Sequence, residues 1–206
     1  MRHPELYLVR HGETHWNRSR HFQGQMNSRL TPEGEDQARA VGRLVADIWA
    51  TRGPIPVWCS PLGRCRQTVG LIFETARLDP AIIRHDDRLM ELNCGYWQTW
   101  TRDEVKARWP DEWAAYRADL WGYEIPGGGE NGPMLQGRAR SWLADVAAEA
   151  GDGPVLAVSH GMIGRIIRGL CCDLSPDEFL ALDVPQGVVH HLRDSGERLL
   201  TEDAAG

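Results

Sequence analysis

Leu6-Tyr7-Leu8-Val9-Arg10-His11-Gly12-Glu13-Thr14-His15-Trp16-Asn17 passes from an uninterrupted apolar segment into a charged pair and then a glycine. Four apolar residues bounded by a turn signal read as a short buried strand, and Gly12 lets the chain turn sharply after it. His11 therefore belongs at a strand's carboxyl end, where ligands of open α/β sheets collect. An imidazole is mostly neutral near pH 7 and can attack a phosphoryl group, while Arg10 keeps its charge and offers a planar fork of donors to phosphate oxygens. The pair points to phosphoryl transfer.

Two further segments repeat this geometry. Val57-Trp58-Cys59 reads as a short strand, followed by Ser60-Pro61-Leu62 and a helix through about Ala76. Gly153-Pro154 introduces Val155-Leu156-Ala157-Val158, an apolar run of the kind buried on both faces, and Ser159-His160-Gly161 opens the next helix. If the three strands are parallel neighbours, His11, Arg64 and His160 converge. Between the first two strands, Thr31 can cap a helix, Pro32 suits its first position and Glu33 favours its dipole. Ala38, Val41, Leu44, Val45 and Ile48 then recur at threes and fours to about Ala50, and Gly53-Pro54 ends the run.

Ala81-Ile82-Ile83 predicts a further strand. Residues 101–121 have helical composition broken by Pro110, and helix covers roughly Pro133 to Ala150. Val188 to Leu192 and Leu199-Leu200 predict closing strands around Ser195-Gly196, with the tail from Glu202 frayed. Strands alternating with helices imply an α/β fold, a three-layer α/β/α sandwich with a mainly parallel central sheet. The expectation is one domain over residues 1–206, with a helical, Trp-rich insertion at about 98–130.

With 206 residues and 42% apolar composition, the chain can bury a sizeable core. No run of about 18 apolar residues and no signal-like start are present, which predicts a soluble, unexported protein. The five cysteines are an odd number without paired C-x-x-C spacing and fit reduced thiols in a cytoplasm. A net charge of −6 argues against nucleic acid as a partner. Homodimerisation is left open. Trp97, Trp100, Trp109, Trp113 and Trp121 crowd one stretch, read as helix packing over the sheet ahead of a lid over a substrate.

At the level of motifs, Leu8 to Asn17 resembles the signature of the histidine phosphatase superfamily, also called phosphoglycerate mutase-like, and Val9 to Thr14 match it without a break. Ser60-Pro61-Leu62-Gly63-Arg64-Cys65-Arg66-Gln67-Thr68 resembles the family's second motif, which implies that Arg64 binds the phosphoryl group. Val158-Ser159-His160-Gly161 resembles the third, implying phosphoryl contacts from His160 and Gly161. Gln23-Gly24 and Asn17 also fall where the family contacts phosphate, and the bland role of Asn17 is to cap a turn. Leu89-Met90-Glu91-Leu92-Asn93-Cys94-Gly95-Tyr96-Trp97 resembles the segment whose glutamate donates a proton. Asp86, Asp87 and Glu13 are weaker candidates for that role.

Three positions depart from the family pattern: Asn27 for aspartate, Thr99 for glycine, and Asn131 for serine in Pro126-Gly127-Gly128-Gly129-Glu130-Asn131. Arg18, Arg20, Arg29 and Arg66 read as solvated or salt-bridged, and His15, His21, His190 and His191 as structural.

What the resemblance implies is a phosphomonoester phosphatase. Its catalytic residues are His11, Arg10, Arg64, Glu91 and His160, it has a phosphohistidine intermediate on His11, and it needs no metal or cofactor. Its substrate is a small phosphorylated metabolite. The alternative is a cofactor-dependent phosphoglycerate mutase, whose longer basic insertion is not matched by Arg102, Lys106, Arg108 and Arg117 dispersed among acids. A non-catalytic phospho-ligand binding module would require the departures to disable an otherwise full set of residues.

Overall fold

The computed structural model describes residues 3–151 and 153–202. Strand β1 (Glu5–Arg10) lies at the centre of a six-stranded sheet, between β4 (Pro154–Ser159) and β5 (Val189–Arg193). With β2 (Val57–Cys59), β3 (Ile83–His85) and β6 (Gly196–Leu200), the order is β3-β2-β4-β1-β5-β6. The first four strands in that order are mutually parallel, β5 runs antiparallel to β1, and β6 antiparallel to β5. Val9 of β1 and Cys59 of β2 both pair with Val158 of β4, so the carboxyl ends of the three strands are level. The register holds one step further: His11 N donates to Ser159 O and Ser60 N donates to Val158 O, each at 3.0 Å.

Side chains alternate across the sheet, as a strand's two-residue period requires. Tyr7 and Val9 of β1 join Leu156 and Val158 in the core beneath α2 (Pro32–Arg52) and α3 (Gly63–Ala76). Leu6 and Leu8 face the other way, with Val155 and Ala157, onto α6 (Gly132–Ala150), α7 (Gly161–Cys171) and α8 (Pro176–Ala181). These are the three layers. A strand covered on both faces is apolar at every position, which is why β1 and β4 read as unbroken runs. On α2, Thr31 accepts from Gly34 N at 3.0 Å, Pro32 takes the first turn, and Ala38, Val41, Leu44, Val45 and Ile48 are buried.

Several boundaries differ from the sequence reading. The strand expected at 81–83 begins only at Ile83. Pro80 and an Asp79 side chain that accepts from Ala81 N wind Pro80–Ile82 into a 3-10 turn first. The hairpin between β5 and β6 turns on Asp194 and Ser195, both at positive φ, and Gly196 opens the strand instead. Helix α8, unpredicted, starts at a Ser175–Glu178 capping box. Glu202, expected to fray, pairs with Arg43 of α2; the rest of that tail lies outside the described residues.

The Trp-rich stretch folds as α4 (Arg102–Arg108) and α5 (Pro110–Ala118), with Pro110 opening the second helix. Trp97 is fully buried in a satellite core with Cys94, Val105 and Ile125, walled by Trp100, Trp109, Trp113 and Tyr123. Trp121 instead packs on Phe179. The rings of Trp97, Trp100, Trp109 and Trp113 pack in this satellite core and not, as expected, over the sheet; of the five, Trp121 alone joins the core on the sheet. A short ladder ties the stretch to the segment after the four-residue helix α1 (His15–Arg18): Thr99 N to Phe22 O, Phe22 N to Trp100 O and Arg102 N to Arg20 O.

Candidate active site

Beyond the level ends of β1, β2 and β4 opens a cleft of about 560 Å³ whose lining includes Arg10, His11, Asn17, Gln23, Gly24, Arg64, Glu91 and Gly161. His160 lies directly behind, its ring centroid 5.2 Å from that of His11 and edge-on to it. The residues drawn from separate motifs are thus brought together.

Each histidine has its tautomer fixed by a neighbour. His11 Nδ1 lies 2.8 Å from the carbonyl of Gly12, which can only accept, so Nδ1 carries the proton and Nε2 keeps a lone pair. For His160, Arg64 Nε donates to Nδ1 at 3.0 Å, which sets the proton on Nε2, where it is donated to Ser60 Oγ at 2.7 Å. Burial, reinforced by the positive charges of Arg64 and Arg10, holds both imidazoles well below the usual histidine range. His11 is therefore neutral at pH 7.

Arg64 spans the cleft floor, donating also to Met26 O at 2.6 Å and Gly24 O at 2.7 Å. Arg10 donates through Nη1 to Val184 O at 2.5 Å, while its buried Nε has no partner. A buried, unpaired guanidinium N–H beside a lone-pair nitrogen is a place for an anionic oxygen. Burial is the largest influence on Arg10 and lowers its pKa, with Glu91 opposing.

Glu91 reaches the start of α7. Its Oε2 accepts from Met162 N at 3.1 Å and its Oε1 from Ile163 N at 3.2 Å and Leu92 N at 2.9 Å. Gly161 lies between Glu91 and Arg10: a side-chain carbon there would make ordinary contact, at 3.6 Å, with both Arg10 Nε and Glu91 Oε2. Of the weaker candidates, Asp86 is bound to Arg88 at 2.7 Å. Glu13 lines the cleft but is engaged by Arg18 and Thr31, each at 2.7 Å.

Asn17 fills the capping role and lines the cleft. Its Oδ1 accepts from Thr14 N in a capping box and from Gln186 Nε2, while the residue faces the cleft. Gln23 is buried with its Oε1 unpartnered. Asn131 caps α6 by accepting from Met134 N at 3.0 Å, a role serine also fills, so this departure leaves the turn intact. His190 binds Glu197 at 2.5 Å and His191 binds Glu5 at 2.7 Å, both structural as expected.

Four contributors were not singled out from sequence. Ser60 and Cys65 contact His160, the latter with Sγ 3.4 Å from Nε2 and its thiol pushed up to about 12 by burial. Gln186 donates to His11 O at 2.9 Å from a loop with no sequence signal. Arg165 lines the cleft and had one: it stands four residues after Gly161, on the same helix face.

The family model of the histidine phosphatase superfamily, branch 1, matches residues 6–202. A protein of Erwinia tasmaniensis named Probable phosphoglycerate mutase GpmB is 36% identical over 166 residues, 77% of this chain and 70% of its own. The Metal-independent phosphoserine phosphatase of Arabidopsis thaliana is 33% identical over 163 residues, 79% of this chain and 66% of its own. Among solved structures, a mycobacterial glucosyl-3-phosphoglycerate phosphatase complexed with VO3 aligns with a TM-score of 0.76 at 27% identity, over 97% of each chain. A family match spanning nearly the whole chain, met by motifs that fold onto one cleft, makes this protein a member of the histidine phosphatase superfamily, branch 1.

Proposed function

We propose that the protein is a phosphomonoester phosphatase working through a phosphohistidine on His11. The observation that carries this reading is the fixed tautomer: Nδ1 bound to Gly12 O leaves Nε2 free as a neutral lone pair beside Arg10 and Arg64. In the first step Nε2 attacks phosphorus, forming P–N as the P–O bond to the alcohol breaks. The leaving oxygen takes a proton from Glu91. Water then attacks the phosphohistidine, losing a proton to Glu91 while the P–N pair returns to His11, and phosphate departs.

Arg10, Arg64, the Gly161 N–H and Asn17 supply positive potential to the equatorial oxygens, and each charge-assisted hydrogen bond contributes on the order of 1.5–3 kcal/mol. His160, expected to contact the phosphoryl group itself, has both ring nitrogens engaged, Nδ1 by Arg64 Nε at 3.0 Å and Nε2 by Ser60 Oγ at 2.7 Å, and so acts through Arg64. The substrate is a small phosphorylated metabolite. Five free thiols support a reducing compartment such as the cytoplasm, and among the described residues no helix is long and apolar enough to cross a membrane.

A mutase reading is favoured by one observation, the name of the Erwinia relative. Against it, Arg102 alone of the insertion's basic residues lines the cleft; Arg108 lies over the Trp100 and Trp109 rings.

The test is phosphate release from a panel of phosphomonoesters, with phosphoenzyme trapping. Wild type is expected to release phosphate with chelator present and to form an acid-labile phosphoenzyme, and His11→Ala to do neither. Phosphoryl transfer from a bisphosphoglycerate without net release would make the protein a mutase.

A further inference from the structure

The cleft carries more positive charge than one phosphate group uses. Five arginines line it, Arg10, Arg20, Arg64, Arg102 and Arg165, against two acidic residues, Glu13 and Glu91. The net is three positive charges with Glu91 ionised and four with it protonated as the acid of the first step, more than a phosphomonoester dianion balances, in a chain whose overall charge is −6. Glu13 is committed to Arg18 at 2.7 Å, and Glu91 to the backbone at the start of α7. Among the described residues, none of the five arginines forms an ion pair with a carboxylate.

Arg165 is the inner member of the surplus. It is half-buried, anchored by Nε to Leu182 O at 2.8 Å, and its terminal nitrogens have no hydrogen-bond partner among the described residues. It stands near enough to Arg10 and Glu91 for its charge to act on both. Arg102 stands at the mouth, held by its backbone bond to Arg20 O at 3.3 Å. Tyr116 lines the same wall, its phenol kept protonated by burial and therefore a donor. Holding unpaired guanidinium groups together in a partly buried wall costs free energy unless an anion shares the site.

We propose that Arg165, with Arg102 at the mouth, binds a second acidic group on the organic part of the substrate. The preferred class is then a phosphomonoester that also carries a carboxylate or a second phosphate. The inference rests on the phosphatase reading and adds to it a specificity-determining arm.

The experiment compares matched pairs: 3-phosphoglycerate with glycerol 3-phosphate, and fructose 1,6-bisphosphate with fructose 6-phosphate, with p-nitrophenyl phosphate as a single-anion control. Wild type is expected to favour the acidic member of at least one pair by about 10- to 100-fold in kcat/KM, and which pair shows it separates carboxylate from phosphate. Arg165→Gln should remove that preference, Arg165→Lys retain part of it, and the exposed Arg102→Gln lower it without risk to folding. Equal kcat/KM within both pairs, or a preference unaltered in Arg165→Gln, overturns the inference while leaving the phosphatase reading intact. If no phosphate is released from any compound, the phosphatase reading fails instead. The pairs are then compared by titration calorimetry, where tighter binding of the acidic member supports the arm and equal binding overturns it.

Discussion

Gly12 and Gly34 lie back to back beneath the nucleophile's turn. A side-chain carbon on Gly12 would stand 2.2 Å from Gly34 O, and one on Gly34 would stand 2.0 Å from Glu13 O. Contact between backbones cannot be relieved by rotating a side chain, so the loop carrying His11 is seated against the first turn of α2 by the absence of two methyl groups. Thr99 is the opposite case. It holds φ +73°, a region costly for a β-branched residue, at the point where the Trp-rich stretch joins the Phe22 segment. Its side chain is exposed, while its N–H bond to Phe22 O at 2.9 Å survives any non-proline substitution. Thr99→Asn is therefore expected to raise stability by about 0.5–1 kcal/mol, since asparagine tolerates this conformation. Urea denaturation checks it, and an unchanged or lowered midpoint would show that the strain is relieved elsewhere. The sequence marks Thr99 as a departure from the family, but not its cost, because φ depends on partners distant in the chain. His11, Arg64 and His160 were legible because each comes soon after a short apolar strand, and Arg10 because it closes one. Gln186 and Ser60 were not, because a polar residue in a loop carries no signal until the sheet sets its neighbour.

At the scale of elements, α7 begins without a side-chain cap: the His160 ring turns away to Ser60 and Arg64. Glu91 fills the vacancy from another segment, taking the N–H groups of Met162 and Ile163. The proposed proton donor is thereby also the cap of the helix that presents Gly161 and Arg165. The two roles separate by substitution. Glu91→Gln keeps an acceptor oxygen, so it should lose under about 1 kcal/mol of stability. Its turnover of alkyl phosphates should fall by roughly 10²–10⁴-fold, well beyond its loss on p-nitrophenyl phosphate, whose phenolate leaves unaided. Glu91→Ala should add about 1–2 kcal/mol of destabilisation. Denaturation and kinetics on the same samples decide it: equal losses on both substrates would remove Glu91 as the acid, and an Ala variant as stable as wild type would remove it as the cap. Three parallel strands with their following turns were legible because both-face burial makes β1 and β4 unmistakable. Strand β3 was misplaced because Pro80 and Asp79 wind the chain before it extends. The loop at 182–184 was invisible, since what shapes it is Arg165, Arg168 and Arg10 taking its three successive carbonyls.

For the molecule as a whole, the site imposes a pH dependence on folding. His11 and His160 are buried between Arg10 and Arg64, and burial is the main cause of their pKa values lying well below the ordinary 6.5. Well above pH 6.5 both are neutral whether the chain is folded or not, and they add little pH dependence. Below it, the unfolded chain binds protons at both positions that the folded chain refuses, so stability falls as pH falls, and His3, also lowered mainly by burial, adds in the same direction. From pH 7.5 to 5.5 each histidine accounts for about 1.4 kcal/mol, together about 2–3 kcal/mol. The carboxylates whose pKa values are lowered by their partners, Glu5, Asp86 and Glu197 among them, act in the same direction but only nearer pH 4, and so do not blur this window. Urea midpoints measured across that range are expected to fall steadily, and His11→Ala should show a clearly smaller loss than wild type because the His11 proton is gone. A flat profile would mean that both imidazoles take up protons in the folded state as they do in the unfolded chain, and a charged His11 has no lone pair with which to attack phosphorus. The same depression keeps His11 neutral in the folded protein below pH 6.5, so activity should persist into the range where stability is already declining, with unfolding as the acid limit on turnover.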